Sequence, residues 1–439
     1  MSQPLAFTNA TLITGDRDGT VLHDRTVIVG VDGRIATVGP AVETSVPDGA
    51  RVVDARGRFV MPGLINAHAH LFSDGRPIPK ILTSERAEKL VALFAHSPFG
   101  HRWLDGRTKR AILTQMNTGV TTIRSLGEPG YEVVRAAAAI ERGDYLGPRL
   151  IPSGPLLAIP EGHGAPQIAL ICADADATRR NTRQNLDNGV RAMKISATGG
   201  VTDAKAIGHA GTPEMSETNM RIVCEEAHAA GILVAAHAQS EDGILAALRA
   251  GVDTIEHGAA MSEEVIALFK DNPNSLRGHS SLIPTLMACL PLVKLEPSVT
   301  GANEVSRANA VMVLDEMLAG IRVALEHDIE LGMGTDSALT FVTHYNTWRE
   351  IDFVIRYGGV PAARALHAAT GANARILGID GETGSIEPGK SADLLVTAAN
   401  PLDDVRTLAS PVAVVVRGEL IDAPSVTTFP EIDALLDEF

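Results

Sequence analysis

The chain has 439 residues, of which 45% are hydrophobic, and a formal charge of −15. That is enough apolar material for one large core with an appendage, and too little chain for three domains. The acidic balance has no basic stripe beside it, which argues against nucleic acid or an anionic membrane as the main partner and says little about the substrate.

The opening MSQPLAFTNATLITGD enters strand-like sequence with no basic region followed by an apolar signal core. No later stretch approaches the ~20 apolar residues of a membrane span, so a cytoplasmic protein is expected. Residues Leu5 to Met61 hold short β-rich runs broken by Gly33, Gly39, Pro47 and Gly57. From Pro62 strand-like runs alternate with longer helical patterns, the texture of parallel βα units. Eight such runs follow, LINAHAH, TTIRSL, RLIPSG, AMKIS, LVAAHA, TIEHG, LIPTL and ELGMGTD, and eight strands close a (β/α)₈ TIM barrel. The longest connection, Leu71 to about Gln115, contains the helical pattern SERAEKLVALFAH. It is locally basic through Arg76, Lys80, Arg86, Lys89, Arg102, Arg107, Lys109 and Arg110, which reads as solvated charge or a place to meet an anionic substrate group. After Ala374 the β texture returns in GSIEPGKSADLLVTA and VAVVVRGEL. The fold class expected is therefore α/β. Residues 62–380 form the barrel, residues 1–61 and 381–439 pair into a small β-sandwich, and the acidic tail from Thr427 to Phe439 docks as a surface helix. Cys172, Cys224 and Cys289 are odd in number, widely spaced and outside any CxxC, so buried thiols are expected rather than disulfides or a zinc knuckle.

The barrel runs end in metal-ligand chemistry. His68 and His70 are two apart on a strand and project from one face, where both imidazoles can reach one ion. His237 and His257 each terminate a strand of their own; alone, the pair would read equally as core histidines. Asp336 in GTDS suits a metal ligand that also bonds to water, and it suits the N-cap of the next helix. Lys194 has no lone pair while protonated. As a carbamate it would become an anionic ligand able to bridge two ions ~3.5–4 Å apart.

PGLINAHAHL, GVTTIRSLG, MKISATGGV, AGVDTIEHG, GTDS, ALHAATGANARILGI and GSIEPGKSADLLV occur in this order over nearly the whole chain. On these motifs the sequence resembles the amidohydrolase superfamily, in its imidazolonepropionase-like branch of metal-dependent dipeptidases and xenobiotic amide hydrolases. The resemblance implies that His68, His70 and Asp336 hold a first metal, that His237 and His257 hold a second, and that carboxylated Lys194 bridges them. It implies hydrolysis of a C–N bond by a metal-bridging hydroxide, with Asp336 passing the proton to the leaving amine. Two zinc ions are expected, and nitrogen and oxygen ligands also admit manganese, cobalt or nickel. A homo-oligomer is implied as well, an octamer among its expected forms.

His163 in PEGHGAP resembles a family residue that contacts the substrate carbonyl or carboxylate, although a surface-loop histidine fits the residues as well. His344 and Tyr345 are further substrate candidates. Three departures from the family pattern stand out. Asn66 replaces a common Asp, Ser125 replaces an acidic residue after Arg124, and Gln239 occupies a position where peptidase members carry Tyr or His. The leading expectation is hydrolysis of a dipeptide, N-acyl amino acid or related xenobiotic amide. The alternatives are a carbamate or phenylurea hydrolase and a mononuclear deaminase or cyclic-imide hydrolase. Lys194 and Ser240, which stands three residues after His237 where a Glu is usual, speak against the mononuclear pair. A non-catalytic scaffold on the same fold is disfavoured by retention of the whole ligand set.

Overall fold

The computed structural model describes residues 3–77, 93–94, 97–165 and 167–439. Lys80, Arg86, Lys89 and the pattern SERAEKLVALFAH, apart from Leu93 and Phe94, lie outside them.

Parallel strands alternate with helices from Leu64 onward. Leu64–Ala69, Val120–Ser125 and Arg149–Pro152 form a three-stranded sheet. A six-stranded sheet runs in the order Ala169–Ile171, Leu156–Ala158, Met193–Ser196, Val234–Ala238, Thr254–His257 and Ser281–Ile283. Their residues are almost all buried, as expected of parallel strands covered on both faces. Four of the helices between them start on side-chain caps, from Ser97, Asp174, Ser216 and Ser240. Ser240, for example, accepts from the Gly243 amide at the head of Glu241–Ala250, which ends on left-handed Gly251.

The expected closed ladder is not continuous. The eighth run, ELGMGTD, forms no regular strand; it bridges the two sheets through isolated pairings of Leu331 with Leu282 and of Ser337 with Ala69. The Gly332 amide donates to Leu282 O at 2.9 Å, and Ala67 N donates to Met333 O at 2.9 Å. At the other seam the Arg191 amide donates to Pro152 O at 2.7 Å. The eighth run is irregular because it is squeezed. A Cβ at Gly334 would stand 2.5 Å from His68 Cβ, so only glycine permits this approach. Beyond it the backbone turns left-handed at Asp336, φ +57°.

Both chain ends enter one terminal unit, as anticipated; its eight strands are hydrogen-bonded in one continuous order and enclose a buried apolar cluster of their own. Leu5–Ile13 is bulged and pairs with Arg51–Asp54 along its first half and with Phe59–Pro62 along its second. Leu394–Thr397 then pairs with Phe59–Pro62, and Ala413–Val416 with Leu394–Thr397. Period-two alternation divides these strands between two cores. Val60, Leu394, Val396, Ala413 and Val415 pack within the sheet's own cluster. Met61, Leu395, Val414 and Val416 pack into the main core with the parallel strands. The tail helix Pro430–Leu436 is docked through Ile432 and Leu436 against Leu295 and Phe341.

Because Leu395 is fully buried on the face that joins the two cores, Leu395→Ala is expected to cost about 2–5 kcal/mol in denaturant unfolding. An unchanged midpoint would show that the terminal sheet contributes nothing to the stability of the main body.

Candidate metal centre

His68 closes the Leu64–Ala69 strand and is 1% exposed. Its Nδ1–H donates to Glu256 Oε2 at 2.7 Å, which leaves Nε2 as the lone-pair nitrogen, 3.3 Å from Asp336 Oδ1. His70 is fixed in the same sense. Its Nδ1–H donates to Gly127 O at 2.6 Å, and its Nε2 lies 3.1 Å from the same Asp336 oxygen. His257, at the end of its strand in the left-handed region (φ +71°), donates from Nδ1 to Thr285 Oγ1 at 2.7 Å. His237 is held the other way round, with Nε2 facing Gly199 O at 3.3 Å and Nδ1 left free. Each of the four rings thus has one nitrogen committed to a partner and one available. Burial, followed by neighbouring cationic groups, holds His237 well below the usual imidazole range, and burial does the same for His257. Both rings are neutral and able to ligate.

Two left-handed non-glycine residues, His257 and Asp336, sit at one site, a local strain that the surrounding contacts must hold in place. Ligand atoms of His68, His257 and Asp336 all lie within 4.8 Å of one another. This tight group joins His68 to His257, across the division into two metals implied by the resemblance, with His70 adjoining through Asp336. Burial opposes ionisation of Asp336, but His68 and His70 beside it hold its carboxyl well below the usual range. Lys194 is 2% exposed, and among the described residues its Nζ has no hydrogen-bond partner. Burial brings it down to about 8, against the pull of Glu256 and Asp336. A buried orphan amine surrounded by imidazoles and a carboxylate is an unfavourable arrangement unless something anionic or metallic completes it. The donor set of nitrogen and carboxylate ligands therefore fits divalent metal ions.

Behind the ligands lies a charged layer that the sequence reading did not identify. Arg124, 1% exposed, donates from Nε to Ala67 O at 2.6 Å, and its two terminal nitrogens donate to Thr254 Oγ1 at 3.1 Å and Glu256 Oε1 at 2.9 Å. Burial works against the Glu256 carboxylate, yet Arg124 and His68 hold it far below its ordinary value. The available signal was a single charge in the middle of each apolar strand, Arg in VTTIRS and Glu in TIEH.

His163 stacks on His237 at 4.0 Å between ring centroids. Its amide donates to Glu214 Oε2 at 2.8 Å, and its Nδ1 pairs with the Asp203 carboxylate. A Cβ on Gly200 would stand 2.4 Å from that Nδ1, so the glycine is what admits the ring. Asp203 and Glu214 were not anticipated; they line a recess of about 250 Å³ with Gly199, Gly200 and His209. Gln239 is buried with its Oε1 unpaired among the described residues. His344 and Tyr345 are not brought to the ligand group. His344 donates from Nε2 to Ser73 O at 2.6 Å and accepts from Gln115 Nε2 at 3.2 Å. The Tyr345 hydroxyl lies between the Phe429 amide and Asp433 of the tail. Asn66 serves as a clip between strands: its Nδ2 donates to Gln115 and Thr335, and its Oδ1 accepts from the Thr335 amide.

Residues 59–421 match the model of the amidohydrolase family. Ochratoxinase from Aspergillus niger is 26% identical over 96% of this chain and 87% of its own. A candidate prolidase of Bifidobacterium longum is 48% identical, with a TM-score of 0.88 over 99% of this chain and 98% of that one. A Xaa-Pro dipeptidase solved with methionine in its active site is 25% identical, with a TM-score of 0.81 over 96% of this chain and all of that one. The chain belongs to the amidohydrolase family, and it is a metal-dependent hydrolase acting on C–N bonds.

Proposed function

We propose that the substrate is a dipeptide or N-acyl amino acid, and that the centre holds two ions, zinc by preference, with Lys194 carboxylated. The observation that carries this reading is the Lys194 amine, buried, without a hydrogen-bond partner among the described residues, and within electrostatic reach of His237, His257 and Asp336. The kinship with a candidate prolidase and with a Xaa-Pro dipeptidase supports the substrate class. When bound, the metal would polarise the scissile carbonyl and acidify water.

The chain's own residues supply the rest. His68, His70, His237, His257, Lys194 and Asp336 would hold the ions. Asp336, kept ionised, can take a proton from the attacking water and release it to the leaving nitrogen. His163, anchored through Nδ1 by Asp203, can present Nε2 to the carbonyl or carboxylate of the substrate. Gln239, two residues after His237, offers a buried amide oxygen with no partner among the described residues.

Amine release from dipeptides, including those with C-terminal proline, and from N-acyl amino acids is the direct test, with metal content verified. Turnover of these is expected; silence on them together with turnover of neutral carbamates or phenylureas would move the protein to the xenobiotic hydrolases. Lys194→Ala is expected to lose bound metal and at least about 100-fold in kcat, and full activity without added short carboxylates would overturn the carbamate. His163→Ala should raise KM by about 10–100-fold, the worth of a charge-assisted hydrogen bond, while metal content stays at the wild-type level. Loss of metal in that variant would make His163 part of the metal centre instead.

A further inference from the structure

The helix Leu286–Lys294 starts directly behind His257, with Thr285 at its N-cap position. A threonine there ordinarily turns its hydroxyl onto an amide of the first helical turn. Thr285 makes no such bond; its Oγ1 faces His257 Nδ1 at 2.7 Å. The amides it leaves open are taken from another element. Leu286 N donates to Glu350 Oε1 and Met287 N to Glu350 Oε2, both at 2.8 Å. Glu350 lies on the helix Thr347–Arg356, is fully buried, and has no cation paired with it among the described residues. Burial pushes its carboxyl up to about 8 despite the two amides. A buried carboxyl without a counter-ion is costly, and a threonine cap would have satisfied this helix at less expense. The arrangement makes sense if the hydroxyl of Thr285 is needed elsewhere.

We propose that Glu350 is a positioning residue for the metal centre: by capping the helix Leu286–Lys294 in place of Thr285, it frees the Thr285 hydroxyl to orient the His257 ring and keep Nε2 directed at the metal. This rests on the reading of His257 as a metal ligand.

The test uses full-length protein loaded with zinc, and it measures the rate of metal loss to a chelator, the stoichiometry after dialysis, and kcat and KM separately. Glu350→Gln should release the more weakly held ion about 10–100-fold faster than wild type, with kcat reduced and KM little changed. Thr285→Val should do the same, and the double variant should be no worse than either single one, because both act through one hydrogen bond. Metal retention at the wild-type rate in Glu350→Gln, with only a lowered unfolding midpoint, would overturn the proposal, as would additive losses in the double variant. Should Glu350→Gln fail to fold, Glu350→Asp decides: its shorter carboxylate cannot span both amides, so an intermediate rate of metal loss is expected, and a wild-type rate overturns the proposal. Wild-type protein that takes up no zinc would instead bring down the underlying metal reading.

Discussion

The buried chain from Arg124 through Glu256 to His68 is the interaction on which the rest of the centre depends. It joins three parallel strands that are distant in sequence, and it places a full positive and a full negative charge where solvent cannot reach either. Such a pair adds little net stability over an apolar replacement, but removal of one partner leaves a bare buried charge at a cost of about 3–5 kcal/mol. Its value lies in geometry. Arg124 has a fixed fork of donors, and it spends them on the Ala67 carbonyl, Thr254 and Glu256, so the register of the strands and the position of the Glu256 carboxylate are set together. Glu256 in turn decides which nitrogen of His68 carries the proton.

The same logic extends outward around the ligands. Gly127 O orients His70, Gly199 O orients His237 and Thr285 orients His257, so every ring has a partner that fixes its tautomer. Gly127, Gly199 and Thr285 lie just beyond the ends of strands, whereas Glu256, the partner of His68, lies in the strand that ends at His257. His257 and Asp336 pay for the convergence with left-handed backbone, and the irregular eighth run, closed against His68 by Gly334, is the visible consequence.

The terminal sheet belongs to this construction because its strands alternate between two cores. Met61 and Leu395 face the main body while Val60 and Leu394 face inward to the sheet, so the first ligand strand leaves a surface anchored on both sides. The loops that carry His163 and Asp203 are held by contacts of another kind, ionic and backbone to side chain. They shape the recess beside the metal centre and are tied to the main core through Val201, Ile159 and Ala210.

By itself the sequence determined the parallel βα texture, the contribution of both chain ends to a small sheet, and the set of candidate ligands. Each of these is written in local pattern: hydrophobic periodicity, and histidines placed at strand ends. The strand order of the terminal unit, the broken ladder at the eighth run, and the roles of Glu256, Arg124, Asp203, Thr285 and Glu350 were decided only by tertiary structure. Glu350 lies 93 positions from His257 and reaches it through the end of a third element. No spacing rule connects residues so far apart, since their relation arises from the packing of helices that have no local pattern in common. His344 and Tyr345, candidates for their place after the eighth run, have polar atoms bonded to Ser73, Gln115, Phe429 and Asp433, partners that no local pattern gives. A side chain's chemistry is legible from its identity, but its partners are fixed only when distant segments meet.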